Sequence, residues 1–160
     1  MRTIARSLLA SLVVLIVPAV GQAAKVSLQA DSEQQVLVLL NQIRQQRALG
    51  NLALSTPLRA AARAHSADML QNGYFDHDSP SETWDTRISR YLRSPMIGEN
   101  IAWGTGSYGS PEGIVSQWMH SPPHRRIILS AGLHRVGLGI VAGTFDGAPG
   151  AVMATADFAA

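Results

Sequence analysis

The chain has no cysteine. That excludes a disulfide framework, a thiolate nucleophile, a thiolate metal ligand and a lipid anchor on an N-terminal cysteine. An excess of one charge is also missing. The 13 Lys and Arg include Arg2 and Arg6; without these two, 11 basic and 11 acidic residues balance. The sequence pI of about 9.5 is therefore a poor guide to partners. Only Arg125 and Arg126 adjoin one another, so no basic footprint for nucleic acid is present. The longest apolar run, Leu8 to Val17, falls short of the ~20 residues needed to span a bilayer.

That run has another reading. Arg2 and Arg6 precede it, Pro18 breaks it, and Gly21-Gln22-Ala23 places small residues at a small-x-small site. This is the layout of a secretory signal peptide over residues 1–23, with cleavage near Ala23. The expectation is an exported protein, periplasmic or extracellular, with no stable membrane span after cleavage. Residues 24–30 read as a linker and 31–160 as one domain. The ~135 residues left after cleavage can build a core without staples.

Helical patterns dominate the first half. Asp31-Ser32-Glu33 offers a cap and negative charge to a helix bearing Val36, Leu39, Leu40 and Ile43 on one stripe. Arg44 and Arg47 fall near its end, where cations suit the helix dipole. A second helix is expected from Thr56-Pro57, with Thr as cap, to Asn72-Gly73. A short one follows around Thr83 to Tyr91. Met96 to Trp103 alternates enough for a short strand, though an irregular segment fits as well. Gly104 to Gly109 reads as a glycine-rich loop. Ser110-Pro111-Glu112 starts a helix that Ser121-Pro122-Pro123 ends. Val136 to Val141, weakened by Gly137 and Gly139, and Val152 to Phe158 read as an antiparallel hairpin. Helices first and strands last predict an α+β fold with helices layered on a small antiparallel sheet.

Familiar catalytic patterns fail. Gly106-Ser107-Tyr108-Gly109 lacks the Gly that a nucleophile elbow needs two residues before its Ser. Pro122 and Pro123 separate His120 from His124 and spoil their helical spacing. Asp76-His77-Asp78 lacks the later Gly and Glu of a calcium loop. Three other groups hold more interest. His77 lies in a turn, Glu99 sits in an otherwise apolar segment, and His124 opens a helix. A lone carboxylate is expensive to bury without a partner. If the three converge, they could bind a divalent metal or share a proton. If they do not, Glu99 bonds backbone amides and the histidines are partly exposed turn residues. His65, on an apolar helix face, reads as a hydrogen-bonded core histidine.

The motifs occur together in a telling order: Leu40-Asn41-Gln42-Ile43-Arg44, Ala64-His65-Ser66, Phe75-Asp76-His77-Asp78-Ser79-Pro80, Gly98-Glu99-Asn100-Ile101-Ala102, Trp118-Met119-His120-Ser121-Pro122-Pro123-His124-Arg125 and Val136-Gly137-Leu138-Gly139. From about Glu33 to Phe158 the chain resembles the CAP superfamily of cysteine-rich secretory proteins, antigen 5 and pathogenesis-related 1, also called SCP domains. It is similar to the short, cysteine-free bacterial branch. The resemblance implies a three-layer α-β-α sandwich with a cleft bearing two His and two acidic residues. His77, Glu99 and His124 match three of them. Ser121 stands where many eukaryotic members carry the second Glu.

Two functions follow as expectations. One is a non-enzymatic binding module taking a divalent metal such as zinc at His77 and His124, a lipid or another small molecule. The other is a hydrolase, with or without the help of a metal, with His77, Glu99 and His124 as its catalytic residues. A third, an envelope protein acting through its surface, stays open. The oligomeric state is not legible.

Overall fold

The computed structural model describes residues 26–160; the expected signal peptide lies outside them. Eleven elements follow the chain: β1 (Ser27–Leu28), α1 (Ala30–Gln45), β2 (Ala53–Leu54), α2 (Thr56–Asn72), α3 (Trp84–Tyr91), β3 (Ile97–Gly104), a 3₁₀ turn (Gly106–Gly109), α4 (Pro111–His120), α5 (Pro122–Ile128), β4 (Arg135–Phe145) and β5 (Ala148–Ala159). The fold is α+β, a sheet with helices on both faces. Among the described residues no helix is long and apolar enough to cross a membrane.

The sheet runs β1-β4-β5-β3, with β2 also paired to β4. Its long pairings are antiparallel, whereas β2 lies parallel to β4. The hairpin turn is tighter than the glycines alone suggested. Asp146 and Gly147 both take positive φ, 48° and 74°, the geometry of a two-residue primed turn that matches strand twist. The segment read as a linker is corrected in part. Leu28 and Ser27 pair with Val141 and Ala142, and the Gln29 amide donates to Ile140 O at 2.9 Å. The edge of β4 offers free ladder groups there, and pairing satisfies them. The cap of α2 is likewise Ser55 rather than Thr56. The Ser55 amide already donates to Val136 O, which holds that residue extended just before the first helical turn.

Side-chain alternation separates two cores. On one face, Val136, Leu138, Ile140, Ala154, Ala156 and Phe158 pack against α1, α4 and α5 through Val36, Leu40, Ile114, Trp118 and Ile128. On the other, Ile101, Val141 and Met153 meet Met69 and Leu70 of α2. Gly137 and Gly139 belong to this second face. A Cβ on Gly137 would stand 2.0 Å from backbone atoms of Leu58 and Arg59, and one on Gly139 would stand 2.2 Å from Ala62 and Arg63. The glycines that weaken β4 as a strand are a notch in which the alanine-rich α2 lies against the sheet.

Arg44 ties the far ends together. It is 1% exposed and donates to the carbonyls of Gly50, Ile128, Ser130 and Leu133 at 2.7–3.1 Å. Ile128 is the last residue of α5, so the cation also sits at the negative end of that helix. Burial holds its pKa below the usual arginine value.

Candidate functional site

Glu99 projects from β3, the strand at the sheet edge, and is 3% exposed. Its cross-strand neighbour on β5 is Asp157. A carboxylate there needs partners, and both oxygens have them. Oε1 meets His77 Nδ1 at 2.7 Å. Oε2 accepts from the Arg87 guanidinium, donated by α3. The same guanidinium donates to His77 O at 2.9 Å, so one arginine holds both the carboxylate and the loop that carries the histidine. His65 Nε2 lies 4.0 Å from Glu99 Oε2 and donates to Asp76 O at 3.0 Å.

His124 arrives from the opposite side of β3, in the first turns of α5 after Pro122 and Pro123. Asn100, whose side chain faces away from Glu99 by strand alternation, donates to His124 O at 3.2 Å. The His77 and His124 rings come within 6.3 Å, centroid to centroid. The three residues expected to matter thus meet, the histidines as half-buried rings around an edge strand and Glu99 buried behind one of them.

The two imidazoles differ electrostatically. The hydrogen bond to Glu99 raises the His77 pKa against the cost of burial. Burial lowers that of His124, and the neighbouring His77 lowers it further. The two shifts run in opposite directions, so His77 holds its proton more tightly than His124 does, two histidines set apart by environment.

Arg87 and Asp157 escaped sequence reading. Asp157 shows a signal that could have found it, because it is a lone acid inside an otherwise apolar strand, as Glu99 is. Arg87 lies in a short polar helix where a charge looks ordinary. His65 is 1% exposed and bonded, as a core histidine should be, yet it borders the carboxylate. Ser121 precedes α5 and supplies no acid. Trp118 is buried and donates to Ile101 O at 3.0 Å, so it bolts α4 to β3.

Beside Glu99 on the α2 and α3 side lies an open pocket of about 340 Å³ lined by His65, Asp68, Ser79, Glu82, Arg87 and Tyr91, among others. A larger depression of about 520 Å³ follows α3 at Asp85, Ser89 and Arg93. Those three side chains are exposed, and the depression lies away from the histidines.

An α-β-α sandwich with two histidines at a sheet edge and one buried glutamate between its layers defines the class. The CAP, cysteine-rich secretory protein, family pattern matches residues 37–158, and the chain belongs to that family. It is 38% identical over 111 residues to the uncharacterized protein YkwD of Bacillus subtilis (strain 168), covering 68% of this chain and 42% of that protein. It is 33% identical over 115 residues to the uncharacterized membrane protein YlbC of the same organism, covering 71% and 32%. The chain therefore spans less than half the length of these two relatives. Among solved structures it is similar to an extracellular SCP-domain protein from Bacillus anthracis str. Ames, with a TM-score of 0.67, 31% identity, and 81% of this chain and 40% of that one covered. An outer surface protein of Borrelia burgdorferi shares the fold, at TM-score 0.74 and 18% identity over 84% of this chain and 96% of that one.

Proposed function

We propose that this CAP domain is an exported, non-enzymatic binding module whose site takes a divalent metal ion at His77 and His124. The observation that carries the reading is the 2.7 Å contact between His77 Nδ1 and Glu99. It fixes which ring nitrogen faces the carboxylate and leaves Nε2 for an outside partner, the arrangement by which a carboxylate that is not itself a ligand orients a metal-binding histidine. The donor chemistry suits zinc. Both oxygens of Glu99 are already engaged, by His77 and Arg87, so it is not counted among the metal ligands. Among the described residues no group of three or more His, Asp and Glu has metal-holding geometry. The protein would therefore contribute two imidazoles, and water or a small ligand would complete the shell. When bound, zinc would supply a Lewis-acid centre.

Lipid capture is the other form of the binding reading. The lining beside Glu99 is charged and hydroxylated, which suits a polar ligand better than an acyl chain. Hydrolysis needs a nucleophile or an activated water. Among the described residues neither His77 nor His124 bonds a hydroxyl.

Calorimetric titration with zinc tests the site. The expected result is binding that weakens by about 10-fold or more in both His77→Ala and His124→Ala, the scale of a lost ligand or its support. Unchanged affinity in either variant overturns the reading. The pH dependence has a fixed sign. Zinc must displace a proton from the His77 cation, and that histidine's pKa is raised. Binding is therefore expected to tighten as pH rises through the His77 titration, with protons released. A panel of ester and peptide substrates is expected to show no turnover that depends on His124.

Export has its own test. Expressed with its natural N-terminus, the protein is expected in the periplasmic or extracellular fraction with Ala24 as its first residue. Mass spectrometry of the recovered chain reads this directly, and an intact Met1–Ala23 segment on exported protein refutes the cleavage site.

A further inference from the structure

We infer that Asp157 is a neutral carboxylic acid that holds Glu99 in place by donating its proton to it, a positioning residue behind the site. The inference does not depend on what the site binds. Asp157 is 0% exposed, and neither carboxyl oxygen has a hydrogen-bond partner among the described residues. An ionised carboxylate accepts and cannot donate, and an ion buried with no donor loses its hydration with nothing in return. The groups around it leave one solution. Across β5, Gly137 of β4 offers no side chain on that side, and Glu99 of β3 stands directly opposite. Paired residues in an antiparallel ladder bring their Cβ atoms to about 4.5–5.5 Å, which places the two carboxyl groups within reach. Arg87 from α3 gives its two terminal nitrogens to His77 O and Glu99, and its buried Nε bonds neither Asp157 nor any other described residue. His65 from α2 bonds Asp76 O through Nε2, its buried Nδ1 bonds no described residue, and burial lowers its pKa.

Two adjacent buried carboxyls cannot both ionise cheaply. Glu99 has a guanidinium and an imidazole bonded to its oxygens; Asp157 is bonded to neither, and only the more distant Arg87 charge opposes its protonation. The proton therefore belongs on Asp157, and the acceptor it faces is Glu99. Burial is the largest cause pushing the Asp157 pKa well above the usual carboxylate value, and the Glu99 charge adds to it. Glu99 then receives three donors, from His77, Arg87 and Asp157.

Infrared spectroscopy of the full folded chain tests this. At neutral pH the protein is expected to show the carbonyl band of a protonated carboxyl. The band should shift when aspartate is carbon-13 labelled and vanish in Asp157→Asn. A missing band, or one that shifts with labelled glutamate instead, overturns the assignment, and both spectra need only the natural chain. Thermal unfolding supplies the second readout. Asp157→Asn keeps a donor facing Glu99 and removes the titration. Because the unfolded Asp ionises near its ordinary value of ~3.9, the native wild type pays for retaining the proton above that pH. The Tm of Asp157→Asn is therefore expected to gain on wild type by roughly 3–5 °C per pH unit from about pH 5 to 7. His65, His77 and His124 titrate in both proteins and largely cancel in the difference. A gap that stays flat with pH overturns the inference, since it would mean Asp157 is ionised in the native state as in the unfolded one.

Discussion

Arg44→Met is expected to cost the fold about 4 kcal/mol or more, because four carbonyls lose a charged donor at about 1–3 kcal/mol each. Methionine keeps an unbranched apolar stem of similar length, so packing alone changes little. What disappears is a set of donors. The carbonyls of Gly50, Ile128, Ser130 and Leu133 each accept from this one guanidinium, and each unsatisfied buried polar group costs about 1–3 kcal/mol. The four acceptors lie after α1, at the end of α5 and on the approach to β4, so the loss would loosen three segments together. Against a total stability of about 5–15 kcal/mol, the variant should stay folded only marginally. The urea midpoint measures it. A midpoint within error of wild type would show that water replaces the guanidinium at all four carbonyls. Arg44→Lys should recover only part of the loss, because a single ammonium cannot match the planar fork.

Arg44 also shows where sequence reading stopped. Its place near the end of an amphipathic helix predicted a cation answering that helix's own dipole. The dipole it answers belongs to another helix, α5, and the contact spans 84 residues. Periodicity reports which face of an element is apolar. It does not report that a cation on the border of that face will find carbonyls from three distant segments. Gly137 and Gly139 misled in the opposite direction. As residues of poor strand propensity they argued against β4, yet the reason for them is the α2 backbone within about 2 Å of their missing Cβ atoms. Local chemistry was more legible. Ser110 caps α4 by accepting from the Gly113 amide at 3.1 Å, and Pro122 and Pro123 divide α4 from α5, as each turn residue required.

The site was legible to the extent that one unpaired charge demanded company. Glu99 in an apolar segment called for a donor, and order in the chain singled out His77 and His124. Arg87 could not be chosen from the polar residues of its helix without the fold. Asp157 could have been questioned on the same ground as Glu99. The cross-strand register that sets the two opposite each other depends on how β3 reaches the sheet edge from the middle of the chain, and no local pattern encodes that pairing.

Glu99→Gln is expected to lower stability by about 3–5 kcal/mol, because it strips a buried guanidinium of its anion. It should also return the His77 pKa toward its ordinary value of ~6.5. Glutamine matches the shape but offers an oxygen on one side and an amino group on the other. Glu99 presents two acceptors to two donors, Arg87 and His77. Turned with its nitrogen toward Arg87 it sets N–H against N–H, and turned with its oxygen there it gives His77 Nδ1 an N–H that the ring can accept only after losing its own proton from that nitrogen. Arg87 is 4% exposed and would keep its charge with only the His77 carbonyl in support. The His77 part of the loss should vary with pH. A histidine whose native pKa is raised adds stability that is fully present below its unfolded pKa and is lost as pH rises through the native one. The gap between wild type and Glu99→Gln is therefore expected to be widest in mild acid and to narrow toward alkaline pH, leaving the Arg87 cost as a floor. His77 is 42% exposed at its side chain, so solvent screens this variable part and it should be the smaller of the two. NMR titration of the imidazole and denaturation across pH measure the two contributions separately. An unchanged His77 titration in Glu99→Gln would mean that the carboxylate does not set the histidine's charge, and the metal reading would lose the contact it rests on.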